Sequence, residues 1–116
     1  MTSSEAILSL EVAASPAAPS IARRFVAETL RSMGQSEEVV DEMRLAVSEV
    51  VSAVVEAAMP GPFQVSFEVD GPRLVLPALP PTTADDLVDR RRVLDGLAHV
   101  AAEYGDDSTR LSVVTR

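Results

Sequence analysis

The longest periodic stretch of the chain, residues 37–58, lies between Ser36 and Pro60-Gly61-Pro62 and constrains the fold more than any other segment. Val39, Val40, Met43, Val47, Val50, Val51, Val54, Val55 and Ala58 recur at helical spacing and cover a wide apolar arc. Ser48, Glu49, Ser52 and Glu56 make a narrow polar stripe beside it. Ser36 supplies an N-cap, Glu37 and Glu38 place negative charge at the positive end of the helix dipole, and the Pro-Gly-Pro run stops the helix. Valine costs roughly several tenths of a kcal/mol per residue against alanine in a helix. Tertiary packing therefore has to hold this helix.

The flanking segments supply that packing. Residues 7–12 (I-L-S-L-E-V) have strand-like composition and run into Pro16 and Pro19, which forbid a continuing central strand. Ser20 is placed to cap a helix through Met33 whose buried stripe is Ile21, Phe25, Val26, Leu30 and Met33. Arg24, Glu28 and Arg31 fall on its opposite side, with a local Arg24–Glu28 ion pair expected, and Gly34 ends it. Residues 63–69 (F-Q-V-S-F-E-V) alternate strictly, which predicts a half-buried antiparallel strand with Phe63, Val65, Phe67 and Val69 facing the core. Asp70-Gly71 predicts a hairpin returning through residues 73–76, before Pro77, Pro80 and Pro81 abolish regular structure. A third helix is expected from a Thr83 cap to Tyr104, with Leu87, Leu94, Leu97, Ala101 and Tyr104 inside, Gly105 closing it and a break near Arg90-Arg91-Arg92 allowed by Gly96. Residues 110–115 form a last strand. The order predicts one α+β domain over residues 1–116, a two-layer sandwich with a mixed sheet and helices on one face.

Composition removes several functions. With no Cys and His99 as the only histidine, disulfides, thiolate chemistry and a histidine-based zinc site are excluded. A net charge of −8 is the wrong sign for a nucleic-acid binder or a polybasic membrane surface, and no apolar run is long enough to span a membrane. The expectation is a cytoplasmic protein with no nucleic-acid or membrane partner. All ten basic residues are Arg. Aromatics contribute only 3% of the residues, so Val, Leu and Ala must build the core.

Two stretches carry a resemblance. Residues 22–30 (A-R-R-F-V-A-E-T-L) resemble the first helix, and residues 45–54 (L-A-V-S-E-V-V-S-A-V) the second, of the anti-sigma-factor serine kinases of the GHKL superfamily, the histidine-kinase and gyrase type of ATPase fold. The hairpin, late helix and final strand follow in that family's order. The resemblance implies a homodimer, for which a sheet edge or the first strand, residues 7–12, is the expected contact. It also implies a first-helix surface used for docking a protein partner, a sigma factor or its STAS-type antagonist. On this chain that surface carries Arg23, Arg24, Glu28 and Arg31.

The nucleotide boxes of the family are absent. Its second helix carries E-x-x-x-N, whose Glu polarises the attacking hydroxyl and whose Asn holds Mg²⁺. Glu49 fits the first position and Ala53 stands at the second. A methyl group offers no oxygen to a cation that demands about six. An Asp-x-Gly-x-Gly box is replaced by Leu79-Pro80-Pro81-Thr82, and a glycine-rich phosphate turn by Asp89-Arg90-Arg91-Arg92. Arginine attracts phosphate but cannot give the close backbone approach of glycine. Glu49 is then read as a polar residue on the hydrophilic stripe rather than a surviving base. Arg90-Arg91-Arg92 is read as balancing Asp85, Asp86, Asp89 and Asp95, and His99 as a surface residue at the C-terminal end of a helix. No cofactor, metal or catalytic residue is expected. The function implied is a non-catalytic, anti-sigma-factor-like binding domain. Its alternatives are an active serine kinase acting on an antagonist, disfavoured by the missing Asn and Gly, and a scaffold or subunit of an intact family member.

Overall fold

A computed structural model describes residues 6–58, 61–68, 72–79 and 85–114. Strand β1 (Ala6–Val12) leads into helices α1 (Ala18–Ser32) and α2 (Glu37–Glu56). Strands β2 (Phe63–Glu68) and β3 (Arg73–Pro77), helix α3 (Asp85–Asp95) and strands β4 (Val100–Tyr104) and β5 (Ser108–Val113) follow. The five strands form one sheet in the order β1-β2-β3-β5-β4. Every neighbouring pair is antiparallel, so the sheet is not mixed as expected, while the two-layer α+β class holds. No helix among the described residues is long and apolar enough to cross a membrane.

α2 behaves as its pattern demands. The Ser36 side chain accepts from the Val39 N–H at 3.3 Å, and Val39, Val40, Met43, Val47, Val50, Val51 and Val54 are buried. Between α1 on one side and β3, β4 and β5 beneath, it is the centre of the core. The helix stops at Glu56, and Ala58 lies past it, exposed and at φ 53°, so it does not belong to the apolar arc. In β2 the burial alternates as predicted, with Phe63, Val65 and Phe67 inward; Val69, the Asp70-Gly71 turn, and Thr83 and Thr115 lie outside the described residues. Phe67 meets Phe25 of α1 with ring centroids 5.9 Å apart. On the other face Ser9 and Ser66 are bonded at 3.0 Å, and Glu68 Oε1 lies 3.7 Å from both Arg73 and Arg110.

Three expectations are corrected. α1 begins at Ala18, three residues early, because Pro19 presets a helical φ in the first turn, where its missing N–H costs nothing; Ser20 is inside the helix and is not its cap. Ile21 is 47% exposed, while Val26 and Leu30 are buried and Phe25 and Met33 pack against the core as expected; Ala18, Ala22 and Ala27 complete the stripe, small residues that let α1 approach α2 closely. Gly34, at φ 81°, ends the helix as expected. The largest difference is at the third helix. α3 runs unbroken through Arg90-Arg91-Arg92 and ends at Asp95, before Gly96. Residues expected on its last turns, Ala101 and Tyr104, belong to β4, which turns through Gly105 into β5, the Gly105 N–H donating to the Ser108 carbonyl at 2.9 Å. A fifth strand was therefore hidden in what read as helix, and β5 begins at Ser108 rather than Arg110.

Candidate functional site

Two charged surfaces flank α2. On the side facing α3, Glu42, Glu49 and Glu56 stand seven residues apart and so share one edge of the helix. All three carboxylates are engaged. Arg90 of α3, its side chain only 14% exposed, places Nη2 2.8 Å from both Glu56 oxygens and Nη1 3.6 Å from Glu49 Oε1. Nη1 also donates to the Glu49 carbonyl at 3.3 Å. The guanidinium thus spans the helical turn that carries Ser52 and Ala53, and Ala53 is 6% exposed. Two turns earlier than Glu49, Glu42 accepts the His99 backbone N–H at Oε1 and meets His99 Nδ1 at Oε2, each at 2.7 Å. Burial alone would raise the Glu42 pKa, but the His99 hydrogen bonds and charge outweigh it and hold the carboxyl below its ordinary range.

α3 is tied to the sheet as well. The Tyr104 hydroxyl donates to Asp95 Oδ1 at 3.0 Å, and the Arg91 guanidinium lies 4.6 Å above the Tyr104 ring. Burial, followed by the Asp95 hydrogen bond and charge, pushes the Tyr104 phenol up to about 12. The three consecutive arginines make different contacts: Arg90 reaches α2, Arg91 covers Tyr104, and Arg92 lies 3.9 Å from Asp89 of its own helix. His99 is not at a helix end. It sits in the connection between α3 and β4, bound to α2.

The second surface is a shallow, open depression of about 350 Å³ between α1 and α2. Arg23, Arg24, Glu28 and Arg31 all line it, so the four residues singled out from sequence do converge. Arg44 of α2 joins them, with Ala27 and Ser20 completing the lining. Arg23 Nη1 donates to Ser48 Oγ at 3.0 Å. Arg31 grips Glu37 with a two-pronged contact, Nε to Oε2 and Nη2 to Oε1, each 3.0 Å. That hydrogen bond holds the Glu37 carboxyl below its usual range. It also replaces the expected Arg24–Glu28 pair, which does not form among the described residues. Arg44 was not legible as a member, because its place depends on how α2 lies beside α1.

A family model of the histidine kinase-like ATPase domain matches residues 12–92. The chain belongs to that family. In this histidine kinase-like ATPase domain the matched stretch runs from the end of β1 into α3, so it contains both α2 and Arg90. No curated protein matches the chain. The helix to which the resemblance assigns the nucleotide box is α2, with Glu49 on the side that Arg90 covers.

Proposed function

We propose that this chain is a non-catalytic regulatory domain of the anti-sigma-factor type, which binds a sigma factor or its STAS-type antagonist without ATP. One observation carries the reading: the α2 surface around Glu49 and Ala53 is taken up by the Arg90 guanidinium and a methyl group. Catalysis by phosphoryl transfer rests on positioning phosphates and Mg²⁺. Here an internal cation is already paired with Glu49 and Glu56, and Ala53 has no oxygen for a metal. What is left for function is the α1 surface, where Arg23, Arg24, Glu28 and Arg31 gather in one depression on an acidic body. Arginine forks suit the carboxylates of a partner, and a basic patch on a negative protein orients its approach.

Thermal melting with and without Mg-ATP tests the first half of this reading. A ligand that binds the folded state raises its stability by RT ln(1 + [L]/Kd), so the melting temperature is expected to stay unchanged at millimolar Mg-ATP. A clear nucleotide-dependent rise would overturn it. The second half is tested by reversing Arg23 and Arg24 to Glu, which should weaken capture of sigma factors or STAS proteins by about 1 kcal/mol or more while leaving the melt intact.

A further inference from the structure

We infer that the docking face extends across both helices of the α1–α2 hairpin, with Arg44 of α2 as its second wall, and that it takes a carboxylate of an acidic, amphipathic protein segment. The inference rests on the reading of α1 as a binding helix and adds the other half of the site and the chemistry of its occupant. Two of the four guanidiniums around the depression are fixed from behind: Arg23 by Ser48 at 3.0 Å and Arg31 by Glu37 at 3.0 Å. The other two are uncommitted. Arg24 has no hydrogen bond or ion pair with any described residue, and Arg44 has only a 3.9 Å contact with Asp41. One comes from each helix, so an oxyanion entering the depression meets a free fork on either side.

The local charge selects the anion. Four guanidiniums stand against the carboxylates of Glu28, Glu37 and Asp41, which leaves a single net positive charge, on a chain whose net charge is −8. That matches one monoanionic carboxylate better than a phosphate dianion, and it is far too little for a nucleic-acid backbone. The apolar contribution is at hand on both helices. Ile21, three residues before Arg24, is 47% exposed, and Leu45, next to Arg44, is 44% exposed. Arginine is enriched at interface centres, and exposed aliphatic side chains on the same two helices favour an occupant with both acidic and apolar residues.

The test uses fluorescence anisotropy on the full chain, with a labelled synthetic amphipathic Leu/Glu peptide, its Leu/Gln counterpart and a version carrying phosphoserine. The Leu/Glu peptide is expected to bind more weakly as salt rises, and the Leu/Gln peptide about tenfold less well. Arg44→Glu and Leu45→Ser should each weaken binding about fivefold, as Arg24→Glu does. Arg110→Glu on the opposite sheet face should leave it unchanged. Arg44→Gln, checked by its melting curve, serves if the reversal unfolds the chain. If Arg23→Glu with Arg24→Glu weakens binding but Arg44→Glu and Leu45→Ser do not, the two-helix face is wrong and the first-helix reading stands. If none of them matters, both are wrong. Preference for the phosphoserine peptide refutes the carboxylate assignment.

Discussion

Replacing Arg90 with alanine probes the feature that most distinguishes this domain. The substitution removes a bidentate contact with Glu56 at 2.8 Å, the cation 3.6 Å from the Glu49 carboxylate and a second donor, at 3.3 Å, to the Glu49 carbonyl. The two carboxylates differ in what they lose. Glu56 is 58% exposed and can return to water, so its share is about 0.5–1 kcal/mol, as for a partly solvated pair. Glu49 is only 25% exposed, and a half-buried carboxylate that loses its ion-pair partner costs about 1–2 kcal/mol. The sum, about 1.5–3 kcal/mol, corresponds to a fall in melting temperature of roughly 6–15 °C for a domain of this size. Circular dichroism melts of wild type and Arg90→Ala measure it directly. The Glu56→Ala single variant should lose much less, and the Arg90→Ala/Glu56→Ala pair should show coupling of about 0.5–1 kcal/mol. A loss below about 0.5 kcal/mol for Arg90→Ala would mean that the Arg90 contacts do not hold α3 on α2, and the clamp argument fails.

Gly61→Ala should destabilise by about 1–3 kcal/mol in denaturant titration, because its Cβ would stand 2.6 Å from the Ala14 Cβ and 2.9 Å from the Ala14 backbone nitrogen. The Glu42 carboxyl has its pKa lowered in the folded state, so its tie to His99 is present above the ordinary carboxylate value and is lost as pH falls through the depressed one. Glu42→Gln should therefore lower stability at neutral pH and flatten the acid limb of a stability–pH profile; an unchanged acid limb would contradict the assignment. Light scattering should give a homodimer that Leu8→Lys converts to monomer, since Leu8 is 45% exposed on the edge strand β1; a wild-type monomer at high concentration removes this proposal.

How much of this was legible varies with the range of the forces involved. α2 and β2 were readable because their periods are long and clean: Ser36 caps, the valines repeat, and Phe63, Val65 and Phe67 alternate. β4 was not, because Val100-Ala101-Ala102-Glu103-Tyr104 is five residues rich in alanine, which fits a helix end as well as a strand until β5 pairs with it. The same ambiguity of size misplaced Ile21, since alanines gave no hydrophobic signal yet formed the contact with α2. In the site, Arg23, Arg24, Glu28 and Arg31 lie on one helix and could be grouped by spacing alone. The heptad of Glu42, Glu49 and Glu56 was equally visible, but its partners Arg90 and His99 lie 34 or more residues away and depend on the tertiary path.

The strand order has a consequence for synthesis of the chain. β5, the last of the described strands in chain order, is an interior strand: it pairs with β3 on one side and is the only described partner of β4 on the other. Until residue 113 has left the ribosome, β4 has no strand to pair with and β3 has an open edge. Half of the surface on which α2 rests is missing for the same interval. A helix built largely of valine cannot wait in helical form for that surface to arrive. The α1–α2 hairpin is thus made well before the strands on which it rests, and the core it belongs to closes only after residue 113 has emerged.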